Sequence, residues 1–308
     1  MAKSELKQRW ESTAGVEFIK ELMHEIPRGY EVNSSPFGLY GDHIDLRGLV
    51  LSPNVTMRRV QMKKVDLTGA SFNKAWLEAC YFEEVFFNDI SAMGIADHGN
   101  RFVGCSFVGA NLKEAALGYR GSKFQRTTFV EADFRRTVFI RPEFDWVTFS
   151  DCRLEGADFN ASSFSQCAFS GNVKDVWFRG GFALPGDVDQ FGSPRVNKMT
   201  GVSFERARLS GVTFSDGCDV STITLPGDGS CIRLDRWRFR LEKLLEFAAT
   251  RSREERKEIE IFCRSYLVHA PFQDEYIIST RDVYADYGEV VAPIILEGLK
   301  GVSPCKGI

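Results

Sequence analysis

The sequence predicts a repeat solenoid in which the chain turns a corner every five residues. A large apolar residue recurs at every fifth position from 127 to 171, and a smaller residue stands two positions before each of them. Neither an α-helix nor a β-strand keeps this period on one side, because their own periods are about 3.6 and 2 residues. Four such corners close a coil of twenty residues, and each unit then buries its apolar residue by stacking on its neighbours.

We call the large residues of this run the centres, and we expect them to fill the interior of the coil. They are Phe129, Phe134, Phe139, Phe144, Phe149, Leu154, Phe159, Phe164 and Phe169. The positions two before each centre also point inward and must be small, because four large centres already fill each narrow coil. They are Thr127, Ala132, Thr137, Pro142, Val147, Cys152, Ala157, Ser162 and Cys167. The three remaining positions of each five are mostly polar or charged, as expected for an outer wall.

Several units also match a known consensus, Ala-(Asp/Asn)-Leu/Phe-X-X. They include VDLTG at 65–69, ANLKE at 110–114, ADFRR at 132–136 and ADFNA at 157–161. The sequence therefore resembles the pentapeptide-repeat family, and this resemblance implies a right-handed quadrilateral β-helix. We expect a mainly β protein with this β-helix over 44–227.

The repeat is interrupted in its first half. A weak stretch at 93–99 places Asp97 where a large apolar centre belongs. An inward carboxylate without partners is costly, so we predict a small loop or bulge at 93–99. The phase of five is nevertheless intact there, which leaves a regular coil open as the alternative. A two-residue insertion at 118–121 precedes the long regular run.

After Phe178 the period fails until Phe204, and 180–200 is rich in Gly, Pro and Asp. This composition predicts an excursion loop, and its length exceeds that of most connections. Apolar residues on a projecting loop suit docking to a partner. The candidate partner-binding residues are Phe182, Leu184, Asp187, Asp189 and Phe191. A disordered insertion is the alternative for this segment.

Both flanks predict helices. Residues 1–43 supply an N-terminal helical cap, which would cover the open sheet edge at one end of the rod. Residues 228–308 predict a C-terminal α-helical domain, with helical spacing from Leu234 to Ala248. A capping-box signature of Ser252 with Glu255 follows, and a last helical stretch covers 283–299.

Three aromatic residues, Trp76, Tyr81 and Phe86, stand one position before a centre and should point outward. Successive fives lie on different sides of the rod, so these rings cannot form one flat patch. We predict burial under a flanking helix, with an external partner site as the alternative.

Composition narrows the class of protein. The chain has 308 residues and a net charge of −3, and its first ten residues lack an apolar signal core. With no apolar run of membrane-spanning length, we expect a cytoplasmic protein without membrane contact. Cys80, Cys105, Cys152, Cys167 and Cys218 all stand at the small inward position, which explains them as packing residues.

Metal sites, cofactors and disulfides are not expected, because the sequence has no C-x-x-C motif and four scattered histidines. No nucleophile with a base and no phosphate-binding loop is evident either. The sequence thus predicts a protein that is not an enzyme. Our first hypothesis is a non-catalytic scaffold that binds an unidentified protein partner.

The family resemblance implies a second hypothesis. The best-understood branch comprises bacterial proteins that bind type II topoisomerases such as gyrase and protect them from quinolones or peptide toxins, with rods that resemble duplex DNA. This chain departs from them because 44–227 carries equal numbers of basic and acidic residues. Those proteins also dimerise, so a homodimer stays open here.

A third hypothesis is nucleic-acid binding through the arginine-rich segment 233–253. Interspersed Asp235, Glu242 and Glu246 oppose it, because an amphipathic helix with a solvated charged face has the same composition. The sequence therefore does not favour a nucleic-acid partner.

Overall fold

The structure is a computed structural model that describes residues 3–184 and 186–301. Its body is a parallel β-solenoid of about 7 turns. Strands of successive coils pair in register, centre over centre, so that Phe129 lies opposite Phe149, and Phe149 opposite Phe169. The predicted fold class and the twenty-residue coil are confirmed.

Three walls of the rod are continuous parallel sheets over the described residues. The seven-stranded wall comprises Glu31–Val32, Gln61–Lys63, Tyr81–Glu83, Arg101–Val103, Lys123–Gln125, Glu143–Asp145 and Ser163–Ser165. The eight-stranded wall comprises Thr56–Arg58, Trp76–Glu78, Ala96–His98, Ala116–Tyr119, Val138–Ile140, Asp158–Asn160, Trp177–Arg179 and Thr213–Ser215. The five-stranded wall comprises Ser106–Val108, Thr128–Val130, Thr148–Ser150, Ala168–Lys174 and Ser203–Ser210.

The fourth wall is narrower, because single parallel bridges hold it together instead of named strands. These bridges run from Val50 through Ser71, Ser91, Asn111 and Asp133 to Arg153. A small sheet of Leu39–Tyr40, His43–Asp45 and Val65–Asp66 continues the five-stranded wall towards the N-terminus. The rod therefore has four sides.

The corners explain why the period is five. Each turn places a residue with positive φ two positions after a centre, as at Glu131 (φ 53°), Arg136 (φ 59°) and Arg141 (φ 59°). This left-handed conformation is unfavourable for residues with a side chain and occurs singly in turns. A three-residue strand followed by such a corner consumes five residues.

The interior is a stack of aromatic rings. Phe124 and Phe144 lie 5.2 Å apart between ring centroids, and Phe149 and Phe169 lie 4.7 Å apart, both pairs close to parallel. Such pairs stabilise beyond the area they bury. The smaller inward residues predicted for this run are buried as well, including Thr127 at 0% exposure. The assignment of inward positions is confirmed.

The prediction of a loop or bulge at 93–99 is wrong, because these residues continue the regular coil. Asp97 stands in the middle of the strand Ala96–His98 and lies in register with the centre Leu77 of the preceding coil. Its side chain is fully buried. The intact phase of five was the better indicator of the structure.

Asp97 is tolerated inside because donors from neighbouring segments surround it. Its carboxylate accepts hydrogen bonds from the amide of Gly118 at 2.8 Å, from the hydroxyl of Ser122 at 2.9 Å and from the side-chain amide of Asn100. Gly118 opens the two-residue insertion at 118–121, and Ser122 follows it. The insertion therefore supplies donors to the buried carboxylate of the preceding coil.

Helices flank the rod at both ends, as predicted. They are α1 (Lys3–Gln8), α2 (Thr13–Glu25), α4 (Trp237–Ala248), α5 (Arg253–Leu267) and α6 (Thr280–Lys300), with 3-10 turns at Arg9–Glu11 and Ala270–Phe272. The short helix α3 (Asp187–Phe191) lies instead in the excursion between two strands of the rod. At the N-terminus, the buried indole of Trp10 donates to the carbonyl of Arg47 at 2.9 Å. This contact seats the N-terminal helices on the first coil. The domain boundaries at 43/44 and 227/228 stay predictions.

The C-terminal segment holds one element that the helical pattern did not predict. Leu234 was assigned to a helix, but it ends the strand Cys231–Leu234, which pairs antiparallel with Tyr276–Ser279. The capping box of Ser252 and Glu255 is present at the start of α5, as predicted.

The prediction that outward aromatic residues are buried under a flanking helix is wrong. Trp76 is 42% exposed and stacks on His98 of the next coil, with ring centroids 3.8 Å apart. Phe86 stacks on His43 at 4.1 Å, and the guanidinium of Arg101 lies over the ring of Tyr81. Each of these rings therefore packs on a side chain of a neighbouring segment.

We predict that Phe149→Ala destabilises the rod far more than Arg135→Ala. Phe149 is stacked between Phe129 and Phe169, so truncation should cost about 3 to 5 kcal/mol. Arg135 forms a wall ion pair with Asp133, which contributes about 1 kcal/mol at most. Chemical denaturation of both variants measures the difference. Equal losses would contradict the register.

Asp97 predicts a pH dependence of stability. Burial raises its pKa from 3.8 to about 6, although its hydrogen bonds oppose the shift. The native state therefore binds the proton more tightly than the unfolded state, and stability should fall as pH rises from about 4 to about 6. The effect is about 3 kcal/mol.

The measurement is the free energy of unfolding of the wild type and of Asp97→Asn at pH 4, 5, 6 and 7. The difference between the two proteins removes the contribution of all other carboxylates. A difference that does not change with pH would contradict the raised pKa of Asp97.

Candidate functional site

The candidate loop at 180–200 divides into two parts in the structure. Residues 183–184 and 186–196 lie outside the coil, whereas Asn197 and Met199 are buried, at 1% and 0% exposure. The side-chain oxygen of Asn197 accepts a hydrogen bond from the amide of Phe164 at 3.1 Å, and Thr200 bridges in parallel to Ser165. Residues 197–200 therefore belong to the wall of the coil that Phe204 continues.

The projecting loop is shorter than predicted. The sequence pattern predicts that the period resumes at Phe204, but Met199 is already a centre and Asn197 is its small inward position. The signal was present in the sequence, because Met199 stands five positions before Phe204. The many Gly, Pro and Asp residues of this segment instead indicated a loop throughout 180–200.

The excursion is held to the rod on its return. The guanidinium of Arg141 donates to the carbonyl of Ser193 at 2.9 Å. Arg195 forms ion pairs with Glu143 at 3.6 Å and with Asp145 at 3.4 Å. The loop therefore leaves the eight-stranded wall and returns along the seven-stranded wall.

The aromatic candidates fasten the loop to the rod. Phe191 packs edge-on against Tyr119, with ring centroids 5.1 Å apart, and Phe182 lies 5.8 Å from Phe191. Tyr119 in turn stacks on His98, which stacks on Trp76. A ladder of aromatic rings thus runs along the eight-stranded wall into the loop. Phe182 and Phe191 are partly buried by it.

The apolar and acidic candidates face outward. Leu184 is 65% exposed and Val188 is 39% exposed, four residues apart where the chain enters α3. Asp187 and Asp189 occupy the first turn of α3, which presents acidic side chains beside these apolar ones. Sequence reasoning did not single out Val188 or Val196, which is 75% exposed.

Neither a metal-binding cluster nor an exposed thiol is present among the described residues. Among them, no group of three His, Cys, Asp or Glu side chains could hold a metal ion. The cysteines at the small inward position are buried, and burial raises the pKa of Cys105, Cys152 and Cys167 to about 12. Thiols with such a pKa are poor nucleophiles at neutral pH.

The arginine-rich segment is largely engaged within the fold. Arg240 is 5% exposed and donates to a main-chain carbonyl in the last turn of α6 at 2.5 Å. Arg233 donates to a carbonyl of the last coil at 2.9 Å, and Arg238 pairs with Glu242 at 2.8 Å. These contacts do not favour an arginine surface for nucleic acid.

Charge on the walls alternates in sign. On the seven-stranded wall, Lys63 pairs with Glu83 at 3.3 Å and Lys123 pairs with Glu143 at 3.2 Å, each across adjacent coils. The outward residues of four strands on the five-stranded wall carry no charge: Ser106, Val108, Thr128, Val130, Thr148, Ser150, Ala168 and Ser170. Neither of these two walls presents a continuous acidic row over its described strands.

The repeat itself identifies the rod. Residues 120–156 and 143–171 match the family model of pentapeptide repeats, with 8 copies. Residues 120–171 are therefore pentapeptide repeats, and we call the solenoid that contains them the pentapeptide-repeat domain. No curated protein matches the sequence.

Solved structures of pentapeptide-repeat proteins resemble this chain at low identity. QnrB1, described as a plasmid-mediated fluoroquinolone resistance protein, is 17% identical over 56% of this chain and 79% of its own, with a TM-score of 0.27. HetL, from the cyanobacterium Nostoc sp. strain PCC 7120 and involved in heterocyst differentiation regulation, is 14% identical over 68% of this chain and 98% of its own, with a TM-score of 0.19.

Rfr23, from the cyanobacterium Cyanothece 51142, is 13% identical over 59% of this chain and 90% of its own, with a TM-score of 0.14. With TM-scores this low, the fold assignment depends on the register and family match of the pentapeptide-repeat domain itself. Among the described residues, no helix is long and apolar enough to cross a membrane.

We predict that the five inward cysteines of the pentapeptide-repeat domain resist alkylation in the native protein. Burial and a raised pKa both slow the reaction of a thiol, as at Cys105 and Cys167. Cys305 lies outside the described residues, and we expect it to react. Mass spectrometry after iodoacetamide treatment, with and without guanidinium, measures each site. Fast native labelling of Cys105 would contradict the assignment of inward positions.

Proposed function

We propose that this protein is a non-catalytic scaffold that presents residues 183–192 to a protein partner. The observation that supports this most is the excursion between Phe178 and Met199, which leaves the rod and carries exposed apolar side chains. The surrounding coils are stiff, because every centre is buried between its neighbours. A loop held at both ends on such a support loses little conformational freedom on binding.

The composition of the loop suits a partner with an apolar pocket and a basic rim. Leu184 and Val188 provide apolar area, and Asp187 and Asp189 lie beside them. Exposed apolar side chains that cluster with charged neighbours commonly mark interaction sites. The acidic pair would contribute mainly to the rate of association and to the orientation of the complex.

The alternative implied by the family resemblance is a DNA-mimic that binds type II topoisomerase. A mimic of duplex DNA requires a dense row of negative charge along the rod. The seven-stranded wall instead pairs acidic and basic residues coil by coil, and four strands of the five-stranded wall carry no outward charge. We therefore propose a general scaffold whose protein partner does not bind it as a mimic of duplex DNA.

The test is capture of partners from lysate of the native host with the tagged full-length chain. The variant Leu184→Ser/Val188→Ser removes exposed apolar area without touching a coil centre, so it should fold and lose the partner seen with the wild type. Val108→Ser is a matched control, because Val108 is 41% exposed on the five-stranded wall. It should retain the partner.

Retention of the same partner by the loop variant, with unchanged thermal stability, would contradict the proposed site. Capture of a type II topoisomerase that depends on Leu184 and Val188 would instead support the alternative that the protein binds a topoisomerase, with the loop as its binding site.

A further inference from the structure

A second surface lies where the last coil meets the C-terminal helices. A cleft of about 320 Å³ is lined by residues 217–221 of the rod and residues 272–275 of the C-terminal segment. The side-chain amide of Gln273 joins the two sides, because it donates to the carbonyl of Cys218 at 2.5 Å and to the carbonyl of Glu275 at 2.8 Å. The shape of the cleft is therefore fixed by both parts of the chain.

Three carboxylates line this cleft: those of Asp219, Asp274 and Glu275. Among the residues that the structure describes, none of the three forms an ion pair with a lysine or arginine. The positive charge of Arg233 lowers the pKa of Glu275 from a distance, but the guanidinium of Arg233 donates its hydrogen bonds to main-chain carbonyls of the last coil. Burial raises the pKa of Glu275, and the charges of Asp219 and Asp274 raise it further.

An independent feature is the unpartnered oxygen of Gln273, a side chain that is only 3% exposed. Both carbonyls that it contacts can only accept hydrogen bonds, so the amide nitrogen must face them. The Oε1 atom of Gln273 is then buried without a hydrogen-bond partner, and Oε2 of Glu275 is also buried without one. A buried acceptor without a donor is energetically unfavourable. Two residues that line the cleft therefore each hold a buried acceptor that lacks a donor.

The rim of the cleft is aromatic. Phe272 is 69% exposed, although large apolar side chains are usually covered. The face of an aromatic ring attracts cations, and it attracts guanidinium groups in particular. Carboxylates, unpartnered acceptors and an exposed ring all favour the same kind of ligand, which is cationic and rich in hydrogen-bond donors.

We propose that this cleft binds the guanidinium group of an arginine in an extended basic segment of a partner protein. A metal ion fits less well, because no three His, Cys, Asp or Glu side chains among the described residues converge closely enough to hold one. A guanidinium has five donors in one plane and stacks on aromatic rings, whereas an ammonium has three donors. None of residues 183–192 lines this cleft, so substitutions in the loop and in the cleft test the proposed function and this site separately.

The experiment uses the full-length protein and a fluorescein-labelled peptide, Gly-Arg-Gly-Arg-Gly, in a fluorescence anisotropy titration. Glu275→Gln and Asp219→Asn each remove one charge while they preserve shape, and we expect each to weaken binding about tenfold, which is about 1.4 kcal/mol. Glu131→Gln removes an exposed charge from a corner of the rod. This control should change binding less than about twofold, which is about 0.4 kcal/mol.

A matched peptide with citrulline in place of arginine keeps the shape of the side chain but lacks its charge, and it should not bind. Thermal melting of each variant shows whether it is folded, and two separate cleft variants keep the test available if one misfolds. The proposal is wrong if the arginine peptide does not bind saturably, if the citrulline peptide binds equally well, or if Glu131→Gln weakens binding as much as the cleft variants.

Discussion

The packing of one large and one smaller inward side chain in every five residues is the constraint on which the structure depends. It forces a corner after each short strand, and four corners bring each centre directly over the one twenty residues earlier. Stacked rings such as Phe129, Phe149 and Phe169 then fill a narrow interior. Because the interior is fully used by these positions, the outward residues are free to vary, and any further role must lie on the walls or where the repeat is interrupted.

The interruptions are each integrated into the rod by specific polar contacts. The insertion at 118–121 supplies donors to the buried Asp97 of the preceding coil. The excursion after Phe178 returns to the wall through Asn197, whose side chain accepts from the amide of Phe164. At the far end, Gln273 holds the C-terminal segment against the last coil. In this protein, polar side chains compensate where the apolar repeat is broken.

The sequence was sufficient for the rod because its period is a local signal repeated many times. Sequence reasoning failed at Asp97 because its donors Gly118 and Ser122 lie more than twenty residues away, and no local pattern links them. It missed the pairing of Cys231–Leu234 with Tyr276–Ser279 for the same reason. For the loop, it placed the end of the excursion too late and did not single out the exposed Val188 and Val196. The acidic cleft at 217–221 was not predicted, since it forms only when distant segments meet.

Native-state hydrogen exchange measures whether the coil resumes at Asn197 and leaves only the preceding segment outside the rod. We expect the amides of Phe164 and Gln166, which bond to Asn197 and Thr200, to be protected as strongly as those of the central coils. The amides of 183–184 and 186–192 should exchange rapidly. Fast exchange at Phe164 and Gln166, at the rate of the loop, would show that the last coil is not closed there and would contradict this account.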